Sequence, residues 1–342
     1  MTEFGNVLLI YTGGTIGMVE DAESGSLKPI DFSHLLEEIP ELNKFDLNLE
    51  VISLDQPMDS SNIDLSFWLK LLELIEQNYE LFDGFVILHG SDTMAYTASA
   101  TSFLLENVNK PIIFTGSQLP IGKIRTDGKE NLITAIEIAA SMENGIPIVP
   151  EVAIYFEYAL YRGNRTTKVS SENFEAFQSP NYPLLAEAGV NIKYNRFAIR
   201  KNDDEKLLVR KNIVNQVATI KVFPGMRAEV FRAISQLEGL KGLLIETYGS
   251  GNAPINDWLQ KELFKMNQRE VMMVNITQCI TGSVIQGKYQ TGLQLEQAGV
   301  LSGKDMTFEA AITKMMYLLS CEEFTHQERK HHMESNLRGE IS

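Results

Sequence analysis

Asn6-Val7-Leu8-Leu9-Ile10-Tyr11-Thr12-Gly13-Gly14-Thr15-Ile16-Gly17-Met18 joins an unbroken apolar run to a glycine turn. Val7 to Ile10 is short and apolar on both faces, which fits a buried strand better than a helix. Two adjacent glycines let the chain turn sharply and bring main-chain N–H groups close to a ligand. Thr12 and Thr15 place hydroxyls at the mouth of that turn. Three readings remain open on this stretch alone. It is a tight strand-to-helix turn with incidental hydroxyls, a dinucleotide cradle, or a hydroxyl nucleophile beside backbone donors. The second needs G-x-G-x-x-G, and the first of those glycine positions is Thr12, so the pattern fails.

Outward from the turn, strand and helix alternate. Val19–Asp31 lacks an apolar period and reads as an exposed loop, and Phe32–Ile39 as a short helix before Pro40. Leu49–Leu54 reads as a strand, with 56–61 as the loop after it. Phe67, Trp68, Leu71, Leu72 and Ile75 recur at helical spacing, giving a helix from about Asp64 to Asn78. Phe85–Leu88, Pro111–Phe114 and Val152–Phe156 read as strands and Asn131–Met142 as a helix; Asp92 is placed to cap the helix after it. Alternation of this kind predicts an α/β fold, a mostly parallel sheet flanked by helices. In the second half Val217–Val222, Gly242–Ile245 and Val271–Ile276 read as strands, Asp257–Asn267 as a helix, and two further helices close the chain.

The loops after four strands carry hydroxyls: Thr12 and Thr15, Ser60 and Ser61, Ser91 and Thr93, Thr115 and Ser117. Loops at the carboxyl ends of strands line the ligand crevice of open α/β sheets, so these hydroxyls are expected to converge on one polar site. Tyr161-Arg162-Gly163-Asn164-Arg165-Thr166-Thr167-Lys168 is a second polar cluster, either a solvated turn or part of that site. The charged run Arg200 to Lys206 marks residues 193–212 as a linker, dividing the chain into domains 1–192 and 213–342.

Composition removes several classes of function. The 342 residues carry a net charge of −15, which argues against nucleic acid and anionic membrane surfaces as partners. No apolar run approaches a bilayer span, and the acidic start lacks a secretory pattern, so a cytoplasmic protein is expected. Cys279 and Cys321 are too few for a disulfide framework and read as core residues; the histidines show no zinc spacing, so no metal is expected.

If Thr15 is a nucleophile, its hydroxyl needs a base. Lys168 and Asp92 are the candidates, a lysine serving only in its neutral form. Backbone N–H groups of Gly13-Gly14 or of the 90–93 loop would stabilise an oxyanion. This is a site for acyl transfer without histidine, metal or cofactor, chemically coherent and not unique.

The chain resembles the bacterial cytoplasmic, type I, L-asparaginases over nearly its whole length. The residues that carry this are Tyr11–Met18 (YTGGTIGM), Met58–Ser61 (MDSS), Gly84–Thr97 (GFVILHGSDTMAYT), Phe114–Gln118 (FTGSQ), Leu160–Lys168 (LYRGNRTTK), Gly249–Pro254 (GSGNAP), Asn275–Cys279 (NITQC) and Asn336–Glu340 (NLRGE). The resemblance implies hydrolysis of L-asparagine to L-aspartate and ammonia through an acyl-threonine. Carried over, the nucleophile is Thr15 and the relay Ser91, Asp92 and Lys168. Asp59, Ser60 and Ser61 would hold the substrate's α-carboxylate and α-amino ends together with Ser91 and Asp92. It also implies a larger N-terminal and a smaller C-terminal α/β domain in a homodimer or homotetramer, with Asn252 a weaker candidate at the site.

Three positions depart from the family pattern. Ser91 stands where a threonine is usual, 19–30 contains no tyrosine, and Glu246 occupies the place of an effector-binding arginine beside Thr247, Tyr248, Thr277 and Cys279. Weak or absent asparagine cooperativity is the expectation. Two alternatives stay open: an amidohydrolase that prefers glutamine or feeds ammonia to a partner such as a tRNA amidotransferase, and a non-catalytic asparagine or aspartate sensor. Asparagine and glutamine differ by one methylene, worth about 1–3 kcal/mol of discrimination.

Overall fold

The computed structural model describes residues 3–20, 27–29, 39–44, 47–201, 205–254, 256–287 and 290–342. It contains two compact units, Met1–Ser179 with Pro183–Arg210, and Pro180–Tyr182 with Lys211–Ser342.

The first unit is built on an eight-stranded sheet. In chain order its strands are β1 (Val7–Gly13), β2 (Leu49–Met58), β3 (Gly84–Leu88), β4 (Ile112–Thr115), β5 (Val152–Phe156), β6 (Ala159–Arg162), β7 (Ala186–Glu187) and β8 (Lys193–Tyr194). The spatial order is β8-β7-β6-β5-β4-β3-β1-β2. From β2 to β5 every pairing is parallel, and from β5 to β8 antiparallel. Strands β1, β3, β4 and β5 are buried along their whole length, as their continuous apolar sequences require. Helices α1 (Leu65–Asn78), α2 (Met94–Leu104) and α3 (Gly128–Ala140) connect β2 to β3, β3 to β4 and β4 to β5. Helix α1 starts where its apolar period begins, with the Asp64 side chain accepting from the Phe67 N–H at 3.1 Å.

The second unit holds a parallel sheet of β9 (Val217–Lys221), β10 (Gly242–Thr247), β11 (Met272–Thr277) and β12 (Leu301–Ser302) in sequential order. Helices α4 (Ala228–Ser235), α5 (Asp257–Gln268), α6 (Gln290–Gln297), α7 (Phe308–Ser320) and α8 (His326–Glu334) accompany it. Phe231, Leu243, Leu263, Met266 and Met273 form much of its core.

Several expectations are corrected. Strand β2 continues through Gln56-Pro57-Met58, because the pairing with β1 resumes at Gly13 and Met58 after a register shift. Part of Val19–Asp31 pairs antiparallel, Met18–Glu20 against Leu27–Pro29; the rest of that stretch and the helix expected over Phe32–Ile39, all but Ile39, lie outside the described residues. Helix α3 begins at Gly128, and Ser141–Glu143 leaves it as a strand. Among the described residues three helices, not two, follow β11. The 193–212 stretch is not a free linker. Lys193–Tyr194 pairs with β7, and Leu208–Val209 pairs with Leu105–Glu106, where Arg210 meets Glu106 at 2.5 Å. Cys321 is buried, but Cys279 is exposed at the end of β11.

Candidate active site

At the carboxyl end of β1 the main chain comes too close to its neighbours for any side chain. Gly13 and Gly14 have φ of +126° and +89°, and a Cβ on Gly13 would lie 2.2 Å from the Met58 carbonyl oxygen. One on Gly14 would lie 2.6 Å from the Cα and N of Gly90. Gly90 in turn faces Ser60, whose Oγ would stand 2.6 Å from an added Cβ. The turn after β1 therefore packs backbone to backbone on the end of β2 at Met58 and on the turn after β3 at Gly90, and Gly90 in turn meets the Ser60 side chain. The turn after β4 joins them where the Ile121 N–H donates to the Ile16 carbonyl at 3.3 Å.

The hydroxyls of these loops separate into two groups. Thr12 donates to the Leu88 carbonyl at 2.8 Å, Thr115 to Tyr155 at 2.9 Å, Ser117 to Leu119 at 2.6 Å and Thr93 to Ser60 at 2.8 Å. Thr12, Thr115 and Ser117 are also buried, so their hydroxyls hold the loops and face no ligand. Thr15 is half-buried and has no hydrogen-bond partner among the described residues. Convergence of all eight hydroxyls on one site is thus corrected to convergence of a few.

Ser91 and Asp92 meet Lys168. The Lys168 Nζ donates to Ser91 Oγ at 2.9 Å and to Asp92 Oδ1 at 2.6 Å. Asp92 does not cap α2, whose N-cap is Thr93 without a side-chain cap bond; its carboxylate is drawn to the ammonium instead. Lys168 is presented by the pairing of Thr167–Lys168 with Phe177–Gln178. Behind it the 162–166 turn is buried rather than solvated. Arg162 forms an ion pair with Glu151 at 2.6 Å and donates to the Ala198 carbonyl at 2.9 Å, while Thr166 Oγ1 donates to the Arg162 carbonyl. One partner of the Glu151 carboxylate, the Arg200 N–H at 2.7 Å, lies in the stretch expected to be a linker. Charge at Arg162 and Glu151 reads as surface in the sequence; paired burial is a long-range outcome that spacing does not reveal.

Asp59 caps the 3-10 turn Ser60–Asn62 and accepts from both the N–H and the Oγ of Ser61, each at 2.9 Å. The backbone bond, then the hydroxyl bond, holds its carboxyl below the usual carboxylate range. Asp59 and Ser61 are exposed and Ser60 is buried.

Two buried groups beneath the site carry no expectation from sequence. His89 is fully buried between Phe67 and Phe114, edge-on to both, with Nδ1 2.7 Å from the Gly90 carbonyl. Burial pushes its imidazole down to about 4 against the weaker opposing effect of that bond. Asp127, also buried, accepts from the N–H groups of Gln118 and Leu119 and from the Asn131 amide, fixing the turn after β4. Burial raises its carboxyl, the backbone bonds working against that.

A family model described as Asparaginase, N-terminal matches residues 6–200, and one described as Glutaminase/Asparaginase C-terminal domain matches residues 216–333. The chain belongs to the asparaginase family. Among asparaginase relatives, L-asparaginase 1 of Escherichia coli (strain K12) is 42% identical over 341 residues, covering 98% of each chain. A 60 kDa lysophospholipase of Mus musculus is 37% identical over 360 residues, which span 98% of this chain and 62% of that protein. The crystal structure of L-asparaginase I from Vibrio cholerae superposes with a TM-score of 0.89 at 39% identity, covering 99% of each chain.

In the C-terminal asparaginase unit the expected effector residues fall at the ends of β10 and β11, where Thr247 and Thr277 are register partners. Thr247 is buried and donates to Asn275 at 2.7 Å, so its hydroxyl faces inward. Thr277 Oγ1 donates to the Gly249 carbonyl and accepts from the Cys279 N–H. Glu246 lies 3.6 Å from Lys221, and the Tyr248 N–H donates to the Asn252 carbonyl. None of the described helices is long and apolar enough to cross a membrane.

Proposed function

We propose that this chain hydrolyses L-asparagine to L-aspartate and ammonia, with Thr15 as nucleophile. The observation that carries the reading is the contrast between Thr15, whose hydroxyl on the glycine turn is uncommitted among the described residues, and the cluster of Lys168 with Ser91 and Asp92, the latter two on the loop against which Gly14 packs. Thr15 Oγ1 attacks the side-chain amide carbon of asparagine. Its proton passes toward Lys168, acting in its neutral form through Ser91, and then to the departing nitrogen, which leaves as ammonia. Water attacks the acyl-threonine, aspartate departs and Thr15 regains its proton. N–H groups of the interlocked turns stabilise the two oxyanions. Asp59 and Asp92 hold the substrate ammonium; Ser60, Ser61 and Ser91 bind its carboxylate.

The same reading takes the protein as a cytoplasmic homodimer or homotetramer acting on a small molecule, without nucleic acid, membrane or cofactor; the net charge of −15 supports that set of partners. With Glu246 beside Thr247, Tyr248, Thr277 and Cys279, the C-terminal unit presents a carboxylate where an amino acid's own carboxylate would bind. The rate is therefore expected to rise hyperbolically with asparagine, and a sigmoidal curve would refute this. The central test is ammonia release from L-asparagine and L-glutamine by wild type and Thr15→Ala. Fast release from asparagine, lost in the variant, with an aspartyl adduct trapped on Thr15 by rapid acid quench and mass spectrometry, is the expected result. Undiminished release by Thr15→Ala would remove the nucleophile from the reading.

A further inference from the structure

We infer that Gln118 is a positioning residue for turnover, acting by setting the direction of the Ser91 hydroxyl. Its backbone is fixed first, since its N–H lies 2.8 Å from Oδ2 of the buried Asp127. Its side-chain amide is fixed at both ends. Nε2 donates to the Asn173 carbonyl at 3.0 Å, and Oε1 accepts from Ser91 Oγ at 3.3 Å. The first bond determines which end of the amide faces Ser91. With Nε2 held by a carbonyl, the group presented to Ser91 is an acceptor.

Ser91 then stands between a donor and an acceptor. Its oxygen receives the Lys168 ammonium at 2.9 Å, and its single hydrogen is directed to Gln118. A serine hydroxyl has three staggered side-chain positions and a free rotor on its oxygen. Ser91 is half-buried, and burial does not select among them. Gln118 does so: it turns the lone pair of Ser91 toward Lys168 and gives the Ser91 proton a resting place while Lys168 is protonated. When Lys168 is neutral, the same hydrogen swings to Nζ and opens the path for the Thr15 proton. The inference rests on the proposed roles of Ser91 and Lys168.

The test is a cycle of Gln118→Leu, Ser91→Ala and their combination, with Gln118→Glu as the conservative variant. Each is measured for kcat and KM on L-asparagine and for its unfolding midpoint. Loss of one neutral hydrogen bond at the relay should lower kcat about tenfold in Gln118→Leu, with KM changed less than about twofold. Gln118→Glu keeps an acceptor for Ser91 but not the donor to Asn173, and should recover kcat to within about threefold of wild type. In the Ser91→Ala background, Gln118→Leu should change kcat by less than about twofold, since the group it acts through is gone. The inference is overturned if Gln118→Leu turns over at the wild-type rate, if Gln118→Glu is as slow as Gln118→Leu, or if the two losses multiply in the double variant. Turnover surviving in Thr15→Ala would overturn the underlying reading instead, so the two failures are distinguishable.

Discussion

His89 is a titratable side chain buried directly under the residues that meet Lys168, and its chemistry there is that of a neutral ring. Its folded value lies near 4 against an ordinary 6.5 because burial disfavours the imidazolium. Below 6.5 the unfolded chain takes up a proton that the folded one refuses, so stability falls as the pH drops toward 4. Between pH 7 and 4.5 this amounts to roughly 2–3 kcal/mol. His89→Gln, which cannot titrate, is expected to be less stable at pH 7 yet to lose less on acidification by about that amount. Equal acid slopes in urea titrations of the two proteins would count against the account. At this scale the sequence is informative about type and poor about partnership. Thr12 and Thr15 look alike in the TGGT stretch, and the Leu88 carbonyl, far along the chain, is what separates the structural hydroxyl of Thr12 from that of Thr15, which has no partner among the described residues. Gln118 is visible in FTGSQ, but its contact with Ser91 depends on two loops meeting.

Among elements, the ones set by local pattern were legible to within a residue or two. Helix α1 follows its apolar period from Asp64, and β5 coincides with Val152–Phe156. The misreadings share a cause, which is tertiary pairing that overrides local composition. Pro57 suggests a loop, but β2 runs past it to meet Gly13; the charged 193–212 stretch suggests a linker, but two of its segments find strands to pair with. The interlocked turns make the sharpest prediction for an element. Gly14→Ala would put a methyl 2.6 Å from Gly90 on a backbone with φ of +89°. Neither contact has a side chain that can move away. Asparaginase activity is expected to drop more than about a hundredfold, the turns after β1 and β3 separating by main-chain displacement. A variant retaining more than a tenth of wild-type kcat/KM would show that the turns do not need this contact.

Across the whole molecule, the mostly parallel first unit and the parallel C-terminal unit have different internal ties. In the C-terminal unit Lys314 of α7 and Glu340 are both fully buried and 2.5 Å apart. Lys314 also donates to the Met333 and Ser335 carbonyls, and Glu340 accepts from the N–H groups of Leu337 and Arg338. Burial raises the Glu340 carboxyl, but the Lys314 ammonium and the two N–H groups outweigh it and hold it below its ordinary value. Removing one partner leaves a buried charge unpaired, so Glu340→Gln is expected to destabilise the full chain by about 3–5 kcal/mol in equilibrium denaturation. A double change to apolar residues should be far milder, and a Glu340→Gln cost below about 1 kcal/mol would contradict the pairing's role. The division of the hydroxyls in the first unit has a consequence for chemical labelling. Thr12, Thr115 and Ser117 give their protons to carbonyls inside the fold, so an asparagine-shaped electrophile finds them shielded as well as occupied. Such a probe should mark the TGGT turn at a single threonine, and its occupancy would report active sites directly in an unfractionated lysate.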